Sequence, residues 1–251
     1  MRDPIAAAGA CDGVEAVVNL AGEPVAQRWT ARAKERIRAS RVDAPAAFIE
    51  RAARLVRPPQ SYISASAIGY YGSSETATFT EDSPPGDDFL SEVCVAWEQI
   101  AERASTAFNA RVAFVRTGLV LGNDGGLMAK LLPIFRFGLG GDVASGRQWQ
   151  SWIHVSDLVG IYIAAIDGLS GPLNGTAPNP VTNREFTRAL ARALSRPAFL
   201  PVPEFALGLI FGEGGATIAQ GQRVLPQRTQ ELGYEFAFAR LDDALNDLLK
   251  P

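Results

Sequence analysis

Three short apolar runs, separated by stretches of helical periodicity, constrain this chain more than any other feature. The first, Ala16-Val17-Val18-Asn19-Leu20-Ala21-Gly22, is β-branched and closed by glycine. The second is Ser61-Tyr62-Ile63-Ser64-Ala65-Ser66, and the third runs from Arg111 to Thr117, closed by Gly118. Runs of this length and composition read as buried strands rather than helices. Between the first two, Thr30 caps a helical stretch through Ile37 and a second stretch runs from Pro45 to Leu55, ended by Pro58-Pro59. Before the third, Ser91 caps a helix whose apolar side carries Val93, Trp97, Ile100 and Ala104, close to the 3.6 period. Strand, helix, strand, helix, strand implies right-handed crossovers and a parallel sheet covered on both faces. In such sheets ligands sit at the carboxyl ends of the strands. Here those ends are Asn19-Leu20-Ala21-Gly22, Ser64-Ala65-Ser66 and Thr117-Gly118-Leu119-Val120.

The second half is less regular. Gly125-Gly126 opens a helix through Phe135, Gly138-Leu139-Gly140-Gly141 follows, Gln148 to Val155 reads as a strand, and Asp157 to Ile166 reads as an apolar helix. Thr182 and Glu185 form a capping box before a helix to Leu194. From Arg196 onward, Pro201, Pro203, Gly212, Gly214-Gly215, Pro226 and Gly233 break the chain into short helices and turns. No repeat or low-complexity linker divides the halves, so one body with two lobes is expected.

Composition narrows the function classes. The formal charge of −3 comes with no single-sign run, which points away from nucleic acid and from anionic membranes. No apolar stretch, Phe205 to Phe211 included, approaches the roughly 20 residues that span a bilayer, and Met1-Arg2-Asp3-Pro4 does not open a signal peptide. A cytoplasmic protein is expected. One His and two Cys argue against a metal centre built by the protein, which wants three or four clustered ligands. No Gly-x-Ser-x-Gly elbow supports serine hydrolysis.

Several segments together resemble the extended short-chain dehydrogenase/reductases, in their NAD-dependent epimerase/dehydratase-like, epimerase-family branch. They are Val17 to Pro24, Ser64-Ala65-Ser66-Ala67-Ile68-Gly69-Tyr70-Tyr71-Gly72, Thr80 to Leu90, Arg116 to Gly122, Gly146-Arg147-Gln148-Trp149 and Ser151 to Leu158. The stretch from Arg196 to about Leu245, with Phe199-Leu200-Pro201-Val202-Pro203, resembles the module that closes this branch. The resemblance implies a Rossmann-like doubly wound sheet with a small α+β C-terminal substrate lobe. The dinucleotide-binding domain would occupy 1–160, with a returning strand near 172–176. The lobe would comprise 123–155 and 177–251, of which 196–245 is the branch-specific module.

Two departures accompany it. Family members open with a strand and a Gly-x-x-Gly-x-x-Gly turn, the unit whose amides hold a pyrophosphate. This sequence starts just before what would be the fourth strand, so roughly 50 residues of that βαβ unit are expected to be missing. A misplaced start explains this better than a functional half-fold, because the strand at Val17 to Leu20 would otherwise be an open edge. The chain alone is expected to bind NADP or NAD weakly or not at all. The second departure is in the Tyr-x-x-x-Lys pair, where the Lys lowers the phenol pKa. With Trp97-Glu98 set on the family's helix, Leu90 stands at the Tyr position and Cys94 at the Lys position.

The resemblance places Asn19, Leu20, Ala21, Gly22, Ser64, Ala65, Thr117, Gly118, Leu119 and Val120 against the cofactor; without it they are ordinary strand-end turns and core. Ser66 would hydrogen-bond a substrate hydroxyl or carbonyl, or else satisfy a local turn. Tyr70 and Tyr71 line the same cleft as candidates for the missing acid, or pack at its edge. Arg147, Gln148 and Trp149 would close over a polar substrate, or form a solvated loop. His154 reads either as a substrate-side group or as a structural imidazole bonded to backbone, before a helix start at Ser156-Asp157. The function implied is an NAD(P)-dependent oxidoreductase or sugar-nucleotide epimerase on a small hydroxylated substrate, with the Ser91 to Phe108 helix pairing copies into a homodimer. The alternative is a non-catalytic binding or regulatory protein, linked to cell division, that keeps the dehydrogenase shell.

Overall fold

The computed structural model describes residues 9–123, 125–203, 205, 208, 212–214 and 219–250. The N-terminal Met1 to Pro4, most of the apolar run Phe205 to Phe211 and Gly215 of the C-terminal module lie outside the described residues. In chain order come β1 (Ala16–Asn19), α1 (Ala31–Ala52), β2 (Ser61–Ala67), a 3-10 turn (Ile68–Tyr71), β3 (Thr78–Phe79) and α2 (Phe89–Phe108). Then follow β4 (Arg111–Thr117), β5 (Leu119–Leu121), α3 (Gly126–Arg136), β6 (Trp149–Gln150), β7 (Trp152–His154) and α4 (Val155–Asp167). The chain closes with β8 (Gly171–Gly175), β9 (Val181–Thr182), α5 (Asn183–Leu194), β10 (Arg223–Val224), α6 (Gln227–Glu231) and α7 (Leu241–Leu248).

β1, β2, β4 and β8 form one sheet in that order, every pair parallel. Alternation along each strand assigns its two faces. On one face Tyr62, Val112 and Phe114 pack with Ile49, Ala101 and Ala104 under α1 and α2. On the other, Ile63, Ala113, Val115 and Leu173 pack with Ile161 and Ala165 of α4. Helices on both faces of a parallel sheet make this an α/β doubly wound, Rossmann-like fold, as the strand–helix alternation implied. A third core, built from Leu121, Met128, Phe135, Trp152, Phe186, Leu190 and Leu245, joins α3, α5 and α7 in the second lobe. β1 is an outer strand of the sheet, with Val18 36% and Leu20 64% exposed.

Three local expectations need correction. The two helical stretches predicted between Thr30 and Leu55 are one helix, α1, with Pro45 inside it. An interior proline removes a hydrogen bond and costs about 3 kcal/mol. Burial of Ala33, Ile37, Ser40, Ile49 and Ala52 along one side of α1 offsets that penalty. The cap of α2 is Asp88, whose Oδ1 accepts from Ser91 N at 2.8 Å. Ser91 is buried one turn in, its Oγ donating to the Gly69 and Tyr70 carbonyls. The strand predicted over Gln148 to Val155 is two strands with different partners: β6 pairs antiparallel with β9, and β7 parallel with β5. Ser151 divides them because its Oγ donates to Gln222 O and accepts from Val224 N, seating the returning C-terminal segment between them.

Candidate functional site

Since the sheet is parallel, the last residues of β1, β2, β4 and β8 lie at one end, with neighbouring strands about 4.8 Å apart. Leu20, Ala21 and Gly22 follow β1 as an exposed loop. Asn19 Oδ1 accepts from Ala21 N at 3.2 Å and shapes the turn. Its Nδ2 is buried toward the Tyr62 hydroxyl without a well-aligned hydrogen bond, so it points into the sheet's helix-covered face. The guanidinium of Arg41, lying 4.9 Å over the Trp97 ring, donates to Glu23 O at 2.9 Å. A Cβ on Gly22 would come within 2.9 Å of that guanidinium. The loop at Gly22 thus passes close over the movable end of Arg41.

Across the sheet, Thr117 ends β4 and Gly118 follows, donating from its N to Gly175 O at 3.0 Å. Leu119 N bonds Ser151 O at 2.8 Å, and Leu119 and Val120 continue into β5 beside Trp152 and Ile153. A Cβ on Gly118 would collide with the Ser151 carbonyl and reach 2.8 Å from Thr176. The glycine at this turn thus serves chain-to-chain packing. Together the loop after β1, Ala65 and Ala67 of β2, and Thr117 to Val120 form a shelf along the strand ends, small at Ala21, Gly22, Ala65, Ala67 and Gly118 and bulkier at Leu20, Leu119 and Val120.

Beneath that shelf lies a buried polar row. Ser66, Arg116 and Asn174 are register partners on β2, β4 and β8, so their side chains share a face. Glu98 of α2 comes down onto them. It accepts from Arg116 Nε and Nη2, both at 2.8 Å, and from Ser66 Oγ at 2.7 Å. Arg116 Nη1 donates to the Tyr71 hydroxyl at 3.0 Å and to Glu81 O at 3.1 Å, and Tyr71 Oη donates to Asn174 Oδ1 at 2.7 Å. Burial opposes the charge on Arg116, yet the hydrogen bonds and field of Glu98 and Tyr71 prevail and raise its pKa above the usual value. Burial pushes the Tyr71 phenol up to about 12 despite Arg116. The end of the row is Glu81, whose two oxygens accept from Asn174 N, Arg228 N, Thr229 N and Thr229 Oγ1 at 3.0 to 3.3 Å.

These contacts place the predicted residues unequally. Ser64 donates its hydroxyl to the Ala65 carbonyl at 2.9 Å. Ser66 and Tyr71 are 3% exposed and held inside the polar row. Tyr70 is half-buried, its ring 3.5 Å from the Arg116 guanidinium, and its hydroxyl has no hydrogen-bond partner among the described residues. Gln148 is 1% exposed and donates to Val143 O at 2.9 Å, so it supports a turn instead of facing a cleft. Arg147 is exposed and 3.6 Å from Glu75, and the Trp149 indole donates to Glu75 O at 2.9 Å. His154 is 2% exposed. Its Nδ1 accepts from Ser156 N at 3.1 Å and its ring stacks 3.9 Å from Phe238, so it caps α4 and is not a substrate-side group in this structure.

Sequence reasoning missed Glu98, Arg116, Asn174 and Glu81. A signal for the first two existed: Arg116 is a charge inside a buried strand and Glu98 a charge on the buried side of α2, and buried charges demand partners. Two open hollows, about 230 Å³ beside Glu81 and Arg228 and about 420 Å³ along the end of α5, lie outside the strand-end shelf.

In open α/β sheets ligands bind beyond the carboxyl ends of the strands, and the residues predicted to face a cofactor lie at those ends here. Comparison with known proteins agrees. The model of the NAD dependent epimerase/dehydratase family matches residues 1–176, and a domain of unknown function (DUF1731) matches residues 202–248. The chain is 45% identical over 242 residues to the chloroplastic epimerase family protein SDR39U1 homolog of Arabidopsis thaliana, covering 95% of this chain and 69% of that protein. It is 40% identical over 239 residues to epimerase family protein YfhF of Bacillus subtilis, covering 94% and 78%. The crystal structure of human epimerase family protein SDR39U1 (isoform 2) with NADPH superposes with a TM-score of 0.88 at 36% identity, covering 94% and 82%. No helix of the described residues is long and apolar enough to cross a membrane. Fold, strand-end shelf and a family match over most of its length agree that this chain belongs to the NAD dependent epimerase/dehydratase family.

Proposed function

We propose that this chain acts as an NADP(H)- or NAD(H)-dependent oxidoreductase or epimerase on a small hydroxylated substrate, a sugar nucleotide being the type suggested by the family. Leu20, Ala21 and Gly22 would hold the cofactor on one side and Thr117 to Val120 on the other; when bound, its nicotinamide supplies or takes the hydride. The NADPH in the human relative supports the cofactor class. Residues 123–155 and 177–251 would serve as the substrate lobe, and α2 as the surface that pairs copies.

The observation that carries this reading is the state of three hydroxyls, Ser66 as the expected substrate hydrogen-bond donor and Tyr70 and Tyr71 as the candidate acids. Glu98 holds Ser66, and Asn174 with Arg116 holds Tyr71. Tyr70 alone keeps a hydroxyl without a partner among the described residues, beside the strand ends and against a fixed guanidinium. Tyr70 is the group placed to exchange a proton with a substrate oxygen, with Arg116 orienting its ring. Tyr70→Phe should lower NADPH-dependent turnover by about 10²-fold or more across a panel of ketones, aldehydes and sugar nucleotides. NADPH affinity, expected to be weak in this chain and read by titration at high cofactor concentration, should not change. A Tyr70→Phe protein with wild-type turnover removes Tyr70 from the chemistry.

A second reading, a non-catalytic binding or regulatory protein, has one specific observation in its favour. Leu90 and Cys94 pack beneath Gly69, a Cβ on which would meet Leu90 Cβ at 3.3 Å and Cys94 Sγ at 3.9 Å. Burial, and then the charge of Glu98, pushes the Cys94 thiol up to about 12. That pocket of α2 is apolar and inert where dehydrogenases of this type keep Tyr and Lys. Cofactor binding without turnover on any substrate of the panel would favour this reading over the first.

A further inference from the structure

Arg41 of α1 and Arg116 of β4 both lie under the strand ends, but their donors are used differently. Arg116 bonds Glu98, Tyr71 and the Glu81 carbonyl through Nε, Nη1 and Nη2. Arg41 bonds through Nη1 alone, which donates to Glu23 O at 2.9 Å, Ile37 O at 3.2 Å and Ser40 Oγ at 3.4 Å. Its Nε and Nη2 have no hydrogen-bond partner among the described residues and, unlike the Trp97 indole nitrogen, neither is sealed from solvent. These two N–H groups form one edge of the guanidinium, the fork that matches two oxygens of a phosphate.

The surroundings hold that edge beneath the loop after β1. Ser40 Oγ accepts from Glu23 N at 2.9 Å while Arg41 Nη1 bonds Glu23 O, so successive residues of α1 grip both backbone groups of Glu23. The Trp97 ring supports the guanidinium at 4.9 Å, and Nη2 is the atom that a Cβ on Gly22 would meet first. Gly22 is exposed beyond the carboxyl end of β1, so Nη2 lies directly under the strand-end loop.

No carboxylate pairs with Arg41 among the described residues. Glu23, whose field reaches it, is held by Arg36 Nε and Gln27 Nε2, each at 3.2 Å. The charges of Glu23 and Arg36 cancel and leave that of Arg41 in surplus. Burial opposes this charge and lowers its pKa. An unpaired, partly desolvated cation is costly to keep, and such groups concentrate where ligands bind. The Cys94 thiol feels the same guanidinium, and Cys94 stands where dehydrogenases of this type place a lysine. Arg41 thus brings a positive charge to a region where Cys94 brings none.

We propose that Arg41 is an anion-binding residue of the strand-end site, its Nε–Nη2 edge taking two oxygens of a nucleotide diphosphate. Such a contact rests on the reading of the strand ends as a nucleotide site. The diphosphate of a dinucleotide and that of a sugar nucleotide offer this edge the same chemistry.

The test is calorimetric titration of the full chain, at low ionic strength, with inorganic pyrophosphate, NADPH and UDP-glucose, each at high concentration. Pyrophosphate should bind weakly, and more weakly as salt is added. Arg41→Met should lower its affinity about tenfold or more, as expected for lost hydrogen bonds to a charged group. Arg41→Lys, a point charge without the fork, should recover part of that loss. A parallel loss for NADPH identifies the cofactor as the source of the diphosphate, and a loss confined to UDP-glucose identifies the substrate. Unchanged affinity for both nucleotides overturns the proposal. So does a wild-type chain that binds none of these ligands. Urea unfolding separates the grip on Glu23 from the site: a destabilised Arg41→Met protein with wild-type pyrophosphate affinity makes Arg41 a structural clamp and also overturns it. Lost affinity in Arg41→Met, in a protein without turnover on any substrate, upholds the site and counts only against the oxidoreductase reading.

Discussion

Glu98 shows how one side chain sets the interior beneath the strand ends. It is 8% exposed and its two oxygens take three hydrogen bonds from Arg116 and Ser66. Removing one member of a buried ion pair leaves the other charge without compensation, which costs about 3–5 kcal/mol. Glu98→Gln should therefore lower the unfolding free energy by that amount in urea titrations, while Ser66→Ala, which removes one hydrogen bond, should cost only about 1–2 kcal/mol. Equal losses from both would mean that Arg116 finds another partner in the variant. Of the residues singled out from sequence, those at the strand ends lie where the parallel sheet requires. Ser66, Tyr71 and Gln148 lie buried in hydrogen bonds that the linear sequence does not display, whereas His154 takes the backbone-bonded reading that its place before Ser156 offered. Each of those bonds except His154 to Ser156 and Gln148 to Val143 joins residues more than 30 positions apart.

Among the elements, Glu81 is what fastens the C-terminal segment to the sheet. The loop that carries it leads from β3, which pairs with β10, and its carboxylate receives the backbone N–H groups of Asn174 on β8 and of Arg228 and Thr229 on α6. A carboxylate accepting several amides is hard to replace, because an amide side chain offers one acceptor oxygen and two donors. Glu81→Gln should speed hydrogen exchange of the amides from about Leu225 to Glu231 by tenfold or more, leaving β2 and β4 protected. Uniform loss of protection would show instead that the segment and the sheet open as one unit. Element identities were largely legible, since apolar period and capping residues are local quantities. Element limits were less so. Pro45 reads as a boundary, but burial on both sides of it keeps α1 continuous, and Ser151 reads as mid-strand until Gln222 and Val224 arrive from 71 and 73 residues away.

For the molecule as a whole, the single histidine offers a clean linkage measurement. Burial lowers the pKa of His154, against the opposing pull of Asp247 and Asp157. Above its unfolded value of about 6.5 the imidazole is neutral in both states and contributes no pH dependence. Below it the unfolded chain takes up a proton that the native chain resists, so stability falls as the pH drops from about 6.5 toward the lower native value. His154→Asn, which keeps an acceptor for Ser156 N at the cap, should remove that slope from the chemical-denaturation stability measured between about pH 6.5 and 5.5. An unchanged slope would assign it to the carboxylates.

By itself the sequence determined the fold class and which residues end the strands of the sheet. Alternating short strands and amphipathic helices are local patterns, and a right-handed parallel sheet is the arrangement that buries them. What only the tertiary structure decided is where buried polarity and unpaired charge fall. The Ser66–Glu98–Arg116–Tyr71–Asn174 row and the Gly22–Arg41–Trp97 stack each gather residues from distant segments. Hydrogen-bond satisfaction and desolvation are set by spatial neighbours, which no window along the chain contains.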